Sequence, residues 1–128
     1  METKRLFEYA VIRVVPRVER EEFMNVGVIL YCAEENFLGV QIQLDIDRLQ
    51  AFAPKLSIAE VEASLQSLLR ISQGDSGAGA IAQYNTAERF RWLTAQRSTI
   101  IQCSCVHPGL CADAAITLQH LFNQLVAE

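Results

Sequence analysis

Three cysteines and a histidine lie within nine positions of one stretch, CSCVHPGLC, residues 103–111. Cys103, Cys105, His107 and Cys111 could supply four ligands to a structural zinc ion. The spacing between them lacks the C-x2-C pair typical of such sites, and the fourth cysteine, Cys32, is distant in sequence. If residues 97–106 form a strand, the first two cysteines share the face of an isoleucine, which favours simple packing. We therefore expect no metal and no cofactor, and keep a zinc-stabilised structural module as an alternative.

The first predicted hairpin contains a second group of polar residues. Symmetric pairing across the connection 16–22 places Arg13 opposite Asn25 and Val11 opposite Gly27. The same rule, applied to the tight connection 33–36, adds two residues beside this pair, Gln43 and Asp45. A guanidinium between two valines is costly to bury alone, so it either pairs with a carboxylate or faces a wet cleft. The second alternative predicts a site for an anion or a peptide carboxylate, widened by Arg17 and Arg20 in the loop.

The stretch AERFRWLTAQRSTI, residues 87–100, alternates arginines with aromatic residues. Arg89, Arg91 and Arg97 could clamp single-stranded nucleic acid on Phe90 and Trp92. In a strand, however, the two aromatic residues share one face and the neighbouring arginines the other, as in any half-buried strand. The acidic chain offers no electrostatic support for nucleic-acid binding, so we expect none.

The elements that must position these residues follow from hydrophobic periodicity. Strands are predicted at 7–15, 23–32, 37–44, 89–93 and 97–106, and the first three form an antiparallel meander. Helices are predicted at 45–53, at 57–74 after a Ser57 to Glu60 capping box, and at 113–126 after Asp113. A flexible loop is expected at 74–80. The fold class is α+β, with two layers: a mostly antiparallel sheet and two main amphipathic helices, 57–74 and 113–126.

Composition narrows the class of protein. The 128 residues, 51% of them hydrophobic, are expected to fold as a single domain, 1–128, with a sizeable core. The net charge is −4, with basic segments at 1–20 and 86–110 and an acidic middle segment. A general nucleic-acid-binding domain would be strongly basic, so this charge distribution does not favour that class of protein. No apolar run approaches the length of a membrane span, and the start does not read as a signal peptide. A cytoplasmic protein without membrane contact is expected.

One stretch, YAVIRVVPRVEREEFMNVGVILY at residues 9–31, closely resembles the opening signature of an uncharacterised bacterial family, domain of unknown function 3037. RFRWLTAQRST at 89–99 and the segment 106–126 are also similar, so the resemblance spans nearly the whole chain. It points to these residues: Arg13, Arg20, Glu22, Asn25, Arg97, Ser98 and His107. It assigns them no activity, and implies an accessory role beside a protein partner such as a kinase-like neighbour. The resemblance also implies that other members of the family have different residue types where this chain has Cys103 and Cys105, which argues against a metal site there.

These observations favour a non-catalytic binding or accessory domain that uses a polar Arg/Asn sheet face, with a protein partner or a second copy of the chain bound to it. No nucleophile elbow, phosphate loop or metal-spaced carboxylate cluster occurs, so no catalytic residue is named. The predicted binding residues are Arg13, Arg20, Glu22, Asn25, Gly27, Arg97 and His107. The alternative is a small phosphate- or nucleic-acid-directed enzyme in which Glu22 or His107 transfers protons beside the arginines.

Overall fold

The structure is a computed structural model that describes residues 4–127. Its strands are β1 (Arg5–Val14), β2 (Met24–Cys32), β3 (Phe37–Ile42), β4 (Ile101–Cys103) and β5 (His107–Cys111). Its α-helices are α1 (Ile46–Phe52), α2 (Ile58–Ser72), α3 (Thr86–Thr94) and α4 (Ala114–Phe122). Short 3-10 turns occur at Val18–Arg20 and Ile81–Gln83, and a π-helical turn at Asn123–Ala127 extends α4.

The five strands form one antiparallel sheet in the order β3-β2-β1-β4. Two strands pair with the side of β1 that faces away from β2. Strand β4 pairs with the end of β1 near Val14, and β5 pairs with its beginning near Arg5. The first three strands form the predicted meander, and the α+β class with an antiparallel sheet is confirmed.

Helices cover both faces of the sheet. Residues of α1, α2 and α3 pack on one face in a core that contains Ile12, Val14 and Ile29. Helix α4 packs on the opposite face, against Phe7 and Leu30. The two expected amphipathic helices therefore lie on opposite sides of β2 and do not form one helical layer. This is why the central strand is apolar along almost its whole length.

The predicted helix starts are confirmed by their caps. The Ser57 hydroxyl accepts a hydrogen bond from the Glu60 amide at the start of α2, and the Asp113 carboxylate accepts one from the Ile116 amide at the start of α4. The Asp45 carboxylate caps α1 in the same way. Each cap satisfies an amide that the first helical turn leaves without a partner.

The strand predicted at 89–93 is wrong, because these residues belong to α3. The Asn85 side chain caps this helix, and the buried side chains, Phe90 and Leu93, follow helical spacing. Trp92, expected beside Phe90, is 40% exposed. Over five residues, an alternation of arginine with large apolar residues does not distinguish the two periods.

The strand predicted at 97–106 is also too long. Only Ile101–Cys103 is strand, and the chain pairs again with β1 at His107–Cys111, which was not predicted. Pro108 and Gly109 normally indicate a turn. Pro108 is accommodated here because β5 is an edge strand, where a missing amide donor breaks no ladder.

A β-bulge interrupts the first hairpin. Arg13 faces Asn25 as predicted, but Ile12 faces Gly27, so Val26 is an additional residue on β2. The predicted Val11 to Gly27 pairing is therefore wrong by one residue. The β2–β3 register is also shifted by one, since Gly27 faces Ile42 and not Gln43.

Candidate binding cleft

Arg13 and Asn25 are the predicted pair that the structure brings together. They face each other on adjacent strands. The Asn25 amide donates a 3.2 Å hydrogen bond to the Leu125 carbonyl at the end of α4, so the pair lies on the α4 face of the sheet. The Nε of Arg13 and the Oδ1 of Asn25 are both buried, and neither has a hydrogen-bond partner within the described residues.

The guanidinium of Arg13 packs on an aromatic ring. Its central carbon lies 3.9 Å from the centre of the Phe23 ring, a cation–π contact. Within residues 4–127, no carboxylate oxygen lies within 4.0 Å of it, so the expected internal ion pair does not form there. Because Phe23 follows the connection 16–22 directly, this contact anchors the end of that loop.

Gly27 does not provide a gap beside Arg13. A methyl group added at Gly27 would meet Ile12 and Ile42, which belong to the core on the other face. The bulge causes this difference, since the additional residue on β2 exchanges the faces of Gly27 and the strand residues that follow it. Of the predicted neighbours, Gln43 and Asp45 do line a small cavity of about 230 Å³ together with Asn25.

A larger cleft lies where the connection 16–22 approaches the connection between α1 and α2. Its volume is about 480 Å³, within the range of small-ligand and peptide pockets. The lining residues are Pro16, Arg17, Arg20, Glu22, Phe52, Ala53, Pro54, Lys55 and Leu56. The lining of the cleft therefore combines proline, aromatic and aliphatic residues with four charged side chains.

The charge of this cleft is positive. Three of its residues are cationic and Glu22 is its one anion, a sum of +2. Arg17 pairs with Glu19 at 2.8 Å and Arg20 with Glu22 at 2.6 Å. Lys55 has no carboxylate within 4.0 Å in the part of the chain that the structure describes. Hydrogen bonds from its own backbone and from Arg17 lower the pKa of Glu19, so this exposed pair stays ionised.

Arg97 lies away from the cleft and has a structural role. Its guanidinium donates to the carbonyls of Trp92 and Leu93, the last turn of α3, and lies over the Trp92 ring. It donates to carbonyls of the last helical turn, which lack the usual amide partner four residues on. Arg89 does the same for α2 through the Ser72 carbonyl, at 2.6 Å. The structure thus places both arginines at helix ends.

His107 is also distant from the loop residues. It faces Tyr9 on β1, and the two rings are 5.3 Å apart. Glu22 follows the far end of β1, where the loop begins after Val15. Val15 lies six residues after Tyr9 along extended chain, which is about 20 Å. Glu22 and His107 therefore cannot transfer protons at one site, which removes the geometry that the enzyme alternative requires.

The four candidate zinc ligands do not converge. Cys103 packs in the core beneath α2 and α3, Cys111 is buried under α4, and Cys105 is exposed. The Cys105 sulfur lies 3.5 Å from Nε2 of His107, which leaves a pair and not a set of four. Burial raises the pKa of Cys103 to about 11, so this thiol is a small core side chain with little nucleophilic character.

The comparison with protein families identifies a family for this chain. The family model described as "Protein of unknown function (DUF3037)" matches residues 9–126. The chain belongs to this family. No curated protein and no solved structure matches it. Separately, no helix among the described residues of this DUF3037 chain has the length and apolar character to cross a membrane.

Sequence reasoning missed half of the cleft in this DUF3037 protein. Arg20 and Glu22 were named, but Phe52, Lys55 and Leu56 were not. The available signal was Pro54, which predicts that the helix ends before it and that a connection follows. Nothing in the sequence brings 52–56 against 16–22, because their proximity depends on where α1 packs on the sheet.

Proposed function

We propose that this protein is a non-catalytic binding domain that captures an acidic segment of a partner protein in the cleft between residues 16–22 and 52–56. The observation that carries the proposal is the combination, in one 480 Å³ cleft, of a net positive charge with apolar lining residues. An extended peptide with carboxylates and one large apolar side chain fits both properties. Peptide pockets commonly bury an apolar anchor and orient it by a few charged contacts.

Lys55 is the residue on which this proposal most depends. Both arginines of the cleft already bind a neighbouring glutamate, so a ligand carboxylate would have to compete for them. The Lys55 ammonium has no such competitor among residues 4–127. It is therefore the cation that gains most from an incoming carboxylate.

Arg13 and Asn25 support the site from the sheet. The guanidinium of Arg13 holds the Phe23 ring at the end of the loop, and Asn25 ties the same strand to the end of α4. We assign both residues a positioning role. The proposed surface is thus the loop cleft itself, and the Arg/Asn pair supports the loop without lining the cleft.

The test is fluorescence polarisation with a labelled peptide that carries one phenylalanine between two pairs of glutamates. Lys55→Glu should weaken binding by tenfold or more, about the effect of exchanging an attractive for a repulsive charge contact. Glu22→Gln should strengthen it, because the variant removes the competing carboxylate from Arg20. Affinity should fall as salt is added.

Lys4→Glu is the matched control. It makes the same charge change on an exposed lysine at the start of β1, about 30 Å of strand away from the loop. This variant should bind the peptide as the unchanged protein does. Equal losses in Lys4→Glu and Lys55→Glu would reduce the effect to net charge and overturn the proposal, as would peptide binding that Lys55→Glu leaves unaltered.

A further inference from the structure

Two buried cysteines and a glutamate converge at the end of the sheet opposite the cleft. The sulfur atoms of Cys32 and Cys111 and a carboxylate oxygen of Glu35 all lie within 4.8 Å of one another. Oε2 of Glu35 is 3.9 Å from the Cys32 sulfur. In a tetrahedral zinc site with Zn–S near 2.3 Å and Zn–O near 2.0 Å, a sulfur and an oxygen are separated by about 3.5 Å, so little movement is needed.

The strand order argues against a disulfide between these cysteines. Cys32 ends β2 and Cys111 ends β5, and β1 lies between the two strands. Their Cα atoms are therefore two interstrand spacings apart, about 9 to 10 Å, beyond the reach of about 7 Å that a disulfide allows. Thiols that lean toward each other across a strand can instead share a metal ion.

The carboxylate of Glu35 is already oriented by its surroundings. The amide of Ala114, the first residue of α4, donates a 3.0 Å hydrogen bond to Oε2. The guanidinium of Arg5 lies 3.6 Å from the same oxygen and donates to the Ala112 carbonyl. These contacts fix the third ligand, as partners of metal-binding carboxylates do. Arg5 also offsets the charge of −1 that two thiolates, one carboxylate and a divalent cation leave.

We propose that Cys32, Glu35 and Cys111 bind a thiophilic divalent cation, of which Zn²⁺ is the fitting case, with a water molecule in the fourth position. Soft thiolates select zinc over magnesium or calcium. The ion would join the β2–β3 turn, the end of β5 and the start of α4. It would connect these elements at the end of the sheet remote from the peptide cleft. This proposal does not depend on the function proposed above.

Metal binding must displace the thiol protons. Zinc affinity should therefore rise with pH, because a cysteine binds the ion as its thiolate.

The test is titration of the reduced, metal-free full-length protein with Zn²⁺ against a chromophoric chelator, with Co²⁺ as a spectroscopic probe. We expect about one ion per chain and a thiolate-to-cobalt charge-transfer absorption. Cys32→Ser and Cys111→Ser should each abolish that absorption. Glu35→Gln should weaken Zn²⁺ binding by at least about tenfold, the loss that even an outer-shell change causes.

Cys103→Ser and Cys105→Ser are the matched controls, because they remove a thiol from a core position and from the surface. Both should keep the bound ion. Circular dichroism of each variant separates loss of the site from loss of the fold, and Zn²⁺ should raise the melting temperature of the Cys103→Ser protein but not of the Cys32→Ser protein. Failure of the unchanged protein to bind micromolar Zn²⁺, or binding that survives Cys32→Ser with Cys111→Ser, would overturn the proposal.

Discussion

The Arg91 guanidinium binds the Glu8 carboxylate through two hydrogen bonds, of 2.5 and 2.8 Å, which join α3 to β1. The fork of the guanidinium matches the two carboxylate oxygens, the arrangement that makes such pairs specific. In the strand predicted at 89–93, Arg91 could have contributed to a nucleic-acid clamp. In the helix it points to the sheet, and its charge is neutralised within the chain.

This pair predicts a pH dependence of stability. The hydrogen bond from Arg91 lowers the pKa of Glu8, while burial acts in the opposite direction. A carboxyl group whose pKa is lowered by folding stabilises the fold above its unfolded pKa of about 4.3, and this contribution is lost as the pH falls through the folded pKa. Because the Arg91 side chain is 56% exposed, we expect a contribution to stability of no more than about 1 kcal/mol.

Urea unfolding of Glu8→Gln and of the unchanged protein measures this contribution. The free energy of unfolding should differ by up to about 1 kcal/mol at pH 7, and the difference should shrink as the pH falls below about 4 and Glu8 takes up a proton. Glu88→Gln, which alters an exposed carboxylate on the same helix, should show no comparable change. A Glu8→Gln deficit that stayed constant as the pH was lowered would contradict the assignment.

Gly27→Ala should destabilise the fold because the bulge leaves no room for a side chain. A Cβ atom there would lie 2.7 Å from the backbone oxygen of Gln41, which cannot move without breaking β3 from β2. We expect a loss of about 1 to 3 kcal/mol in the free energy of unfolding. Gly77→Ala is the comparison, since its nearest neighbour is the flexible end of Arg70. Equal losses in chemical denaturation would refute the packing argument.

Asn25→Ala should lower the free energy of unfolding by about 1 kcal/mol, through loss of the hydrogen bond to Leu125. Since that bond ties β2 to the turn after α4, amide hydrogen exchange should accelerate first in residues 123–127. Gln124→Ala, an exposed change in the same turn, should leave both the exchange and the stability unchanged. Uniform acceleration across the sheet would argue against this local role.

Thiol labelling should distinguish the cysteines of the 103–111 stretch. With a pKa of about 11, the Cys103 thiol has about a hundredfold less thiolate at pH 8 than an ordinary cysteine. Exposed Cys105 should react with iodoacetamide at least that much faster than Cys103. Mass spectrometry of tryptic peptides over time gives both rates. Comparable rates would show that Cys103 is accessible and outside the core.

The sequence alone determined those features that depend on residues close together in the chain. The caps at Ser57 and Asp113 were readable because capping depends on residues three positions apart. The pairing of Arg13 with Asn25 was readable because it lies close to the hairpin connection, where loop length fixes the register. The α+β class and the opening meander follow from the same local periodicities.

The tertiary structure decided the rest, because it depends on contacts between distant segments. The bulge at Val26 moved Gly27 to the other face, and no local signal marked it. The cleft exists because α1 packs where Lys55 meets the loop of Arg20. Likewise, Cys32 and Cys111, 79 positions apart, converge only because β2 and β5 flank the same strand. Such contacts follow from how helices and strands pack, which local sequence does not encode.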